Sequence, residues 1–353
     1  MRELLSHFCL LGTPLRWERY GEGHINRTYL VVTDRKRYIL QRLSRAAFAD
    51  IPGLMENVAA VTAYLAAQNK DPRACLHLVP THEGGTWHRD AEGEYWRVYD
   101  FIEDSLCLQK PETPEDFYQS AVAFGGFQRQ LRDFPARTLH ETIPNFHNTP
   151  ERYRKFHAAL AADPLNRASA VHPEIDFYLA REEDGAQLQR LRDEGALPLR
   201  VTHNDTKLNN VMLDAHTRQA LCVIDLDTVM PGLAAYDFGD SIRFGASTGA
   251  EDETDLEKIH LDLSLYEIFS RGFVRSCGEM EEAELMSLPL GARLMTLECG
   301  LRFLTDYLDG DRYFAVARPE HNRDRARTQR KLVEEMERNW EAMNKIIRRI
   351  SLD

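Results

Sequence analysis

The densest run of chemically capable side chains is His203-Asn204-Asp205-Thr206-Lys207-Leu208-Asn209-Asn210, set between two β-prone runs, Leu199 to Thr202 and Val211-Met212-Leu213. A second acidic pair closes another apolar run, Cys222-Val223-Ile224-Asp225-Leu226-Asp227. Transfer of a phosphoryl group from ATP needs a carboxylate beside the attacking hydroxyl, plus oxygen ligands for the magnesium that neutralises the phosphates. Asp205, followed five positions later by Asn210 and then by Asp225, supplies both. Asp205 would accept the hydroxyl proton, and Asn210 and Asp225 would hold Mg2+. A polar turn whose Asp and Asn cap local N–H groups accounts for any one of these residues, but not for a strand leading straight into so concentrated a polar cluster. His203 reads as a scaffold histidine bonding the loop.

The elements that must position this cluster follow from periodicity. Tyr29-Leu30-Val31-Val32 and Tyr38-Ile39-Leu40 are β-prone runs separated by Thr33-Asp34-Arg35, which predicts an antiparallel hairpin preceded by a further strand. Leu54, Met55, Val58, Val61 and Leu65 recur at helical spacing and predict a helix over 54–67 packed on that sheet. Two more strands are expected, at Leu76 to Pro80 and Tyr95 to Ile102, joined by a turn at Glu83-Gly84-Gly85. After Phe101-Ile102-Glu103-Asp104 the pattern becomes helical, starting at the capping sequence Thr113-Pro114-Glu115-Asp116. Leu332, Met336, Trp340, Met343, Ile347 and Ile350 share one face of a final helix that should dock on the core. The expected fold class is α+β in two lobes: a small β-rich N-terminal lobe over 1–103 and a larger, mainly helical lobe over 104–353.

The first lobe is expected to bind the nucleotide. Gly21 and Gly23, with Asn26 and Thr28 after them, form a turn in which small residues let backbone amides approach phosphates. Gln41 on the third strand, Glu56 on the helix, and Phe101 and Ile102 at the junction complete the expected nucleotide contacts. Successive strand residues face opposite sides, so only one of Gln41 and Arg42 can point toward the phosphates. The Arg323, Arg325, Arg327 run reads as a solvated charged face.

The chain has 353 residues and a formal net charge of -12, which argues against capture of a nucleic-acid backbone. Its six cysteines lie far apart without paired spacing and read as reduced, mostly buried side chains. The first residues carry Arg2, Glu3 and His7 with no signal-peptide pattern, and no apolar run reaches spanning length. A cytoplasmic protein, with no membrane or nucleic-acid partner, is the expectation.

With His203-Asn204-Asp205 to Asn210 and Asp225-Leu226-Asp227 as its strongest marks, the chain resembles the aminoglycoside phosphotransferase and choline-kinase-like family, whose fold is similar to that of protein kinases. Within it, the chain is similar to bacterial N-acetylhexosamine 1-kinases through Gly23-His24-Ile25-Asn26-Arg27-Thr28-Tyr29, Tyr38-Ile39-Leu40-Gln41-Arg42, Gly53-Leu54-Met55-Glu56-Asn57, Thr202 to Asn210 with Thr206-Lys207, and Gly300-Leu301-Arg302-Phe303-Leu304-Thr305-Asp306-Tyr307. The resemblance implies a protein-kinase-like fold, ATP as co-substrate, Mg2+ as cofactor and an amino sugar as acceptor, phosphorylated at its anomeric hydroxyl. It assigns His24, Arg302 and Tyr313 to the sugar. The chain departs from the kinase pattern where a Lys or Arg is usual on the third strand, since Gln41 offers no charge. Two alternatives stay open: a kinase of the same fold acting on choline, homoserine or an aminoglycoside, and a catalytically silent nucleotide sensor.

Overall fold

Thr33 makes the first turn by local bonding: its Oγ1 accepts the N–H groups of Arg35 and Lys36 at 3.1 and 2.8 Å. In this computed structural model, which describes residues 1–21, 23 and 25–352, that turn joins β2 (Arg27–Thr33) to β3 (Arg37–Arg42) after β1 (Pro14–Arg19). With β4 (His88–Arg89) and β5 (Tyr95–Asp100) they form an antiparallel sheet of order β1-β2-β3-β5-β4. The expected strand at Leu76 to Pro80 is reduced to a single bridge between Leu78 and Tyr99, and the fifth strand is the short β4 beyond the turn. Pro80, lacking an N–H, cannot extend a ladder there.

The predicted helix runs Ile51–Gln68, capped by Asp50, whose Oδ1 accepts the Gly53 N–H at 3.0 Å. Its Leu54, Met55, Val58, Val61 and Leu65 are buried. One face of the sheet carries an apolar core of Val31, Tyr38, Leu40, Trp96 and Val98 with Leu5 and Phe8. A second sheet pairs Ser105–Cys107 with Val211–Asp214 and that strand with Ala220–Val223.

The chain forms two compact units. The first comprises residues 1–108, 130–144 and 210–231, and the second 109–129, 145–209 and 232–353. The second unit is helical and built around Glu282–Asp309, which packs against Ala234–Gly245, Thr149–Ala162 and His321–Arg338. At the crossing with Ala234–Gly245 the backbones nearly touch: a Cβ on Gly239 would lie 2.3 Å from the Gly291 carbonyl oxygen, and one on Gly291 would lie 2.2 Å from that of Ala235. Only glycine permits that approach, and it fixes the helix that carries Asp237 and Asp240.

The expected final helix is two, His321–Arg338 and Trp340–Ile350. Asn339 ends the first, its Nδ2 donating to the Glu335 carbonyl at 2.9 Å. Leu332, Met336, Met343, Ile347 and Ile350 are nonetheless buried. Arg323, Arg325 and Arg327 are not a solvated face: Arg323 pairs with Glu320 and Asp324, Arg325 with Glu251 and Arg327 with Glu174. All six cysteines are free thiols. Among the described residues, no helix is long and apolar enough to cross a membrane.

Candidate active site

The strand Arg200–Thr202 leads into the polar segment of the second unit. Asn204 takes the left-handed conformation at φ 66°, a backbone state that Asn tolerates better than most residues. The helix Ala234–Gly245 then pins the loop. Asp237 accepts the N–H groups of His203 and Asn204 at 2.9 and 2.8 Å, together with the Gln128 amide at 2.7 Å. Asp240 accepts the Thr206 N–H at 3.1 Å, and the Thr206 hydroxyl donates to the Asp237 carbonyl at 2.6 Å. His203 is buried, and its Nδ1 accepts the Asp205 N–H at 3.2 Å, a scaffold role.

Within this buried segment the Asp205 side chain keeps 33% of its surface exposed, and Lys207 Nζ lies 2.7 Å from its Oδ1. Burial alone would lower the pKa of Lys207, but Asp205 and Asp240 raise it, so the ammonium persists at neutral pH. Burial would likewise raise Asp240, but Arg243 and Lys207 outweigh it and hold the carboxyl below the ordinary range.

Asn210 and Asp225 belong to the first unit. Their strands pair Val211 with Val223, and the Ile224 N–H donates to the Asn210 carbonyl at 2.9 Å, which brings residues 210 and 225 close along the backbone. Asp225 adopts φ 59° and ψ 57° as the chain enters the turn Leu226–Thr228. Among the described residues no group of three or more His, Cys, Asp or Glu side chains could hold a metal. Magnesium seldom uses such a cage; one or two protein oxygens plus phosphates suffice. A carboxylate and an amide oxygen on neighbouring backbone fit that requirement.

The nucleotide expectations divide. Gly21 has φ 72°, which only glycine adopts cheaply. Gln41 shares a sheet face with Thr28 and Arg97: its Nε2 donates to Thr28 Oγ1 at 3.1 Å, and its Oε1 accepts Arg97 Nε and Nη2 at 2.9 and 2.8 Å. Arg42 turns to the other face and, with Arg19, Arg27, Arg45 and Gly23, lines a cavity of about 540 Å³. Asn26 is buried, its Nδ2 donating to Asp227 Oδ2 at 2.5 Å and its Oδ1 accepting the Ser44 N–H at 3.0 Å. The expectation for Glu56 needs correcting: its side chain is 69% exposed and turns to His140 at 2.7 Å instead of the third strand. The buried face of its helix carries Met55 and Asn57 instead. Phe101 lies under the Arg37 guanidinium at 4.1 Å and edge-on to Tyr20 at 6.0 Å, and Ile102 is buried.

Of the sugar expectations, His24 lies outside the described residues. Arg302 and Tyr313 come together in the second unit, where the Arg302 guanidinium sits 5.8 Å from the Tyr313 ring, 5.3 Å from Phe314 and 5.9 Å from Phe146. The Tyr313 ring is on the surface, with the residue 71% exposed, and does not pack the core. Asp306 pins its loop by accepting the N–H groups of Arg312, Tyr313 and Phe314 at 2.9, 2.8 and 2.9 Å. In the same unit Glu298 is buried, bonded by His147 at 3.0 Å and Thr149 at 2.8 Å. Burial would raise Glu298, but the His147 bond and the charges of Arg152 and Arg302 keep it low.

Sequence reasoning missed Asp237, Asp240 and Arg97. The sequence marks Asp237 only as a charge inside the apolar run Tyr236-Asp237-Phe238, and marks Asp240 and Arg97 not at all.

The sequence profile of the phosphotransferase enzyme family (APH) matches residues 16–269. The chain belongs to the phosphotransferase enzyme family. Solved structures extend the likeness over nearly its whole length. It is similar to a microcompartment-associated aminopropanol kinase at 16% identity, with 97% of each chain covered and a TM-score of 0.63. An aminoglycoside phosphotransferase from Alicyclobacillus acidocaldarius matches at 14% identity over 99% of this chain and 96% of that one, TM-score 0.61. An amicoumacin kinase in complex with AMP-PNP, Ca2+ and Ami matches at 12% identity over 94% and 92%, TM-score 0.63. At these identities the likeness establishes the fold, which is the two-lobed α+β fold of kinases. This phosphotransferase carries its family's fold with a Gln where a strand-three cation is usual.

Proposed function

We propose that this phosphotransferase uses ATP and Mg2+ to phosphorylate the anomeric 1-hydroxyl of an N-acetylhexosamine, N-acetylglucosamine or N-acetylgalactosamine, giving the sugar 1-phosphate and ADP. Asp205 is the base: it orients the hydroxyl and takes its proton as the oxygen attacks the γ-phosphorus, and the bond to the β-phosphate oxygen breaks in line. Lys207, 2.7 Å away, orients the Asp205 carboxylate. Asn210 and Asp225 hold Mg2+, which when bound neutralises charge on the phosphates. The glycine turn of Gly21 and Gly23 encloses the triphosphate, and Phe101 and Ile102 meet the base.

The observation that carries the choice of acceptor is the cluster around Arg302. Three aromatic rings and a guanidinium offer the apolar face and the directed donors that a sugar needs. Arg152, which burial and then Arg302 pull below an ordinary arginine, adds a second cation, while the Glu298 carboxylate is already engaged. A cationic acceptor such as choline or an aminoglycoside would meet repulsion there. The aminopropanol kinase among the neighbours is named for an amino alcohol, so amino alcohols are the controls to include.

The test incubates the protein with ATP, Mg2+ and a panel of N-acetylhexosamines, hexoses, choline, homoserine, aminopropanol and aminoglycosides, and locates the phosphate by NMR. The expected product is an N-acetylhexosamine 1-phosphate. Turnover only with amino alcohols would overturn the sugar assignment and leave the kinase. Nucleotide binding with no acceptor-dependent ATP consumption would leave a sensor.

A further inference from the structure

Kinase-type sites join a strand-three lysine to a glutamate on the neighbouring helix and so order the phosphate site. Here both ends of that pair are absent: Gln41 is uncharged, and Glu56 is exposed and bonded to His140. A buried cation of the same sheet face stands one strand away. Arg97, at the centre of β5, is the register partner of Gln41 and is 1% exposed. Its Nη1 lies 2.6 Å from Asp227 Oδ1, its Nε and Nη2 donate to Gln41, and its guanidinium stacks 5.0 Å from the Tyr99 ring.

The partner matters more than the displacement. Asp227 is two residues beyond Asp225, inside the turn that follows the candidate metal ligand. Its other oxygen takes the Asn26 amide at 2.5 Å, and Asn26, just after the glycine turn, also accepts the Ser44 N–H. One buried charge pair therefore ties together β3, β5, the metal turn and the end of the glycine turn. Burial alone would lower the pKa of Arg97, but Asp227 holds it raised, so the cation is permanent. With its N–H groups directed at Gln41, Asp227 and the Met55 sulfur, and almost no exposed surface, Arg97 has nothing to offer a phosphate directly.

We infer that Arg97 is a positioning residue for a divalent cation bound to a nucleoside triphosphate, acting through Asp227 and Asn26 to set the Asp225 turn against the glycine turn. The ion pair that elsewhere links strand to helix here links strand to metal turn. The inference rests on the phosphotransferase reading of the same site.

The test is calorimetric titration of AMP-PNP with and without Mg2+ into the full chain and three variants: Arg97→Lys, Arg97→Met, and Arg97→Met combined with Asp227→Asn. The double variant removes both charges, so it stays foldable if Arg97→Met alone is not; circular dichroism checks each. Outer-shell partners of a metal site typically carry 10- to 100-fold in metal affinity. The expected result is that Mg2+ tightens AMP-PNP binding by the wild type, and that this gain shrinks by about 10-fold or more in every folded variant. Metal-free binding should change less than about 3-fold, a split that a loss of packing alone would not produce. An undiminished Mg2+ gain in the double variant, or equal losses with and without Mg2+, would overturn the inference. A wild type that binds no nucleotide overturns the function as well, which separates the two failures.

Discussion

The second unit fixes the loops at 203–206 and 312–314 with buried carboxylates that accept consecutive backbone N–H groups, whereas the first fixes the turn after Asp225 with an ion pair between side chains. Asp237 and Asp240 hold 203–206, and Asp306 holds 312–314, each through main-chain donors that any residue in the loop would supply. The Asp225 turn depends instead on Arg97 and Asn26 meeting Asp227. A backbone anchor leaves the loop's own side chains free, so Asp205 can be changed without loosening the loop. An ion-pair anchor ties position to two particular residues, and removing either leaves a charge buried without its partner.

The largest effect expected from this contrast is at Asp205. Asp205→Asn should lower kcat roughly 10²- to 10⁴-fold. Its thermal midpoint should hardly move, because the solvent-accessible Lys207 pair contributes about 0–1 kcal/mol. A large drop in stability would show that the loop depends on the base it presents. Next comes Arg97→Met, expected to lose about 3–5 kcal/mol in urea unfolding. Adding Asp227→Asn should recover part of that loss, since no unpaired charge remains. Equal stability of the single and double variants would contradict an ion-pair anchor.

A smaller effect should depend on pH. Burial opposes the Asp240 charge, yet Arg243 and Lys207 depress its pKa in the folded chain. Its contribution is therefore complete above the ordinary aspartate value of about 3.9 and is lost as pH falls through the lower folded value. The stability deficit of Asp240→Asn should be full at neutral pH and shrink in acid, read from urea midpoints across pH. The smallest effect is at Glu56. Glu56→Gln should stay within about 0.5 kcal/mol in stability and leave the KM for ATP unchanged. A raised KM would bring the helix glutamate back into the nucleotide site.

Much of this was legible in the sequence because it is local. The hairpin before and after Thr33 and the helix near 54–67 are each set by neighbouring residues, and the polar run at 203–210 stands out by its composition alone. Spacing alone nominates positions 205, 210 and 225 as candidates. It does not nominate Arg97: in Tyr95-Trp96-Arg97-Val98-Tyr99, strand alternation reads it as the solvent side. Its burial becomes favourable only when Asp227, far along the chain, arrives as a partner. Asp237 and Asp240 were hidden for the same reason, since their bonds run to residues more than thirty positions away. The break at Asn339 went unseen because the apolar face continues through it, and periodicity reports the face and not the hydrogen bonds.

If Asp205 serves the chemistry and Asp225 the metal, titrating AMP-PNP with Mg2+ into Asp205→Asn and Asp225→Asn separates the two roles most directly. Asp205→Asn should bind within about 3-fold of wild type, and Asp225→Asn should bind about 10-fold or more weakly only when Mg2+ is present. Equal weakening in both variants, or undiminished Mg2+-dependent binding in Asp225→Asn, would contradict that division of roles.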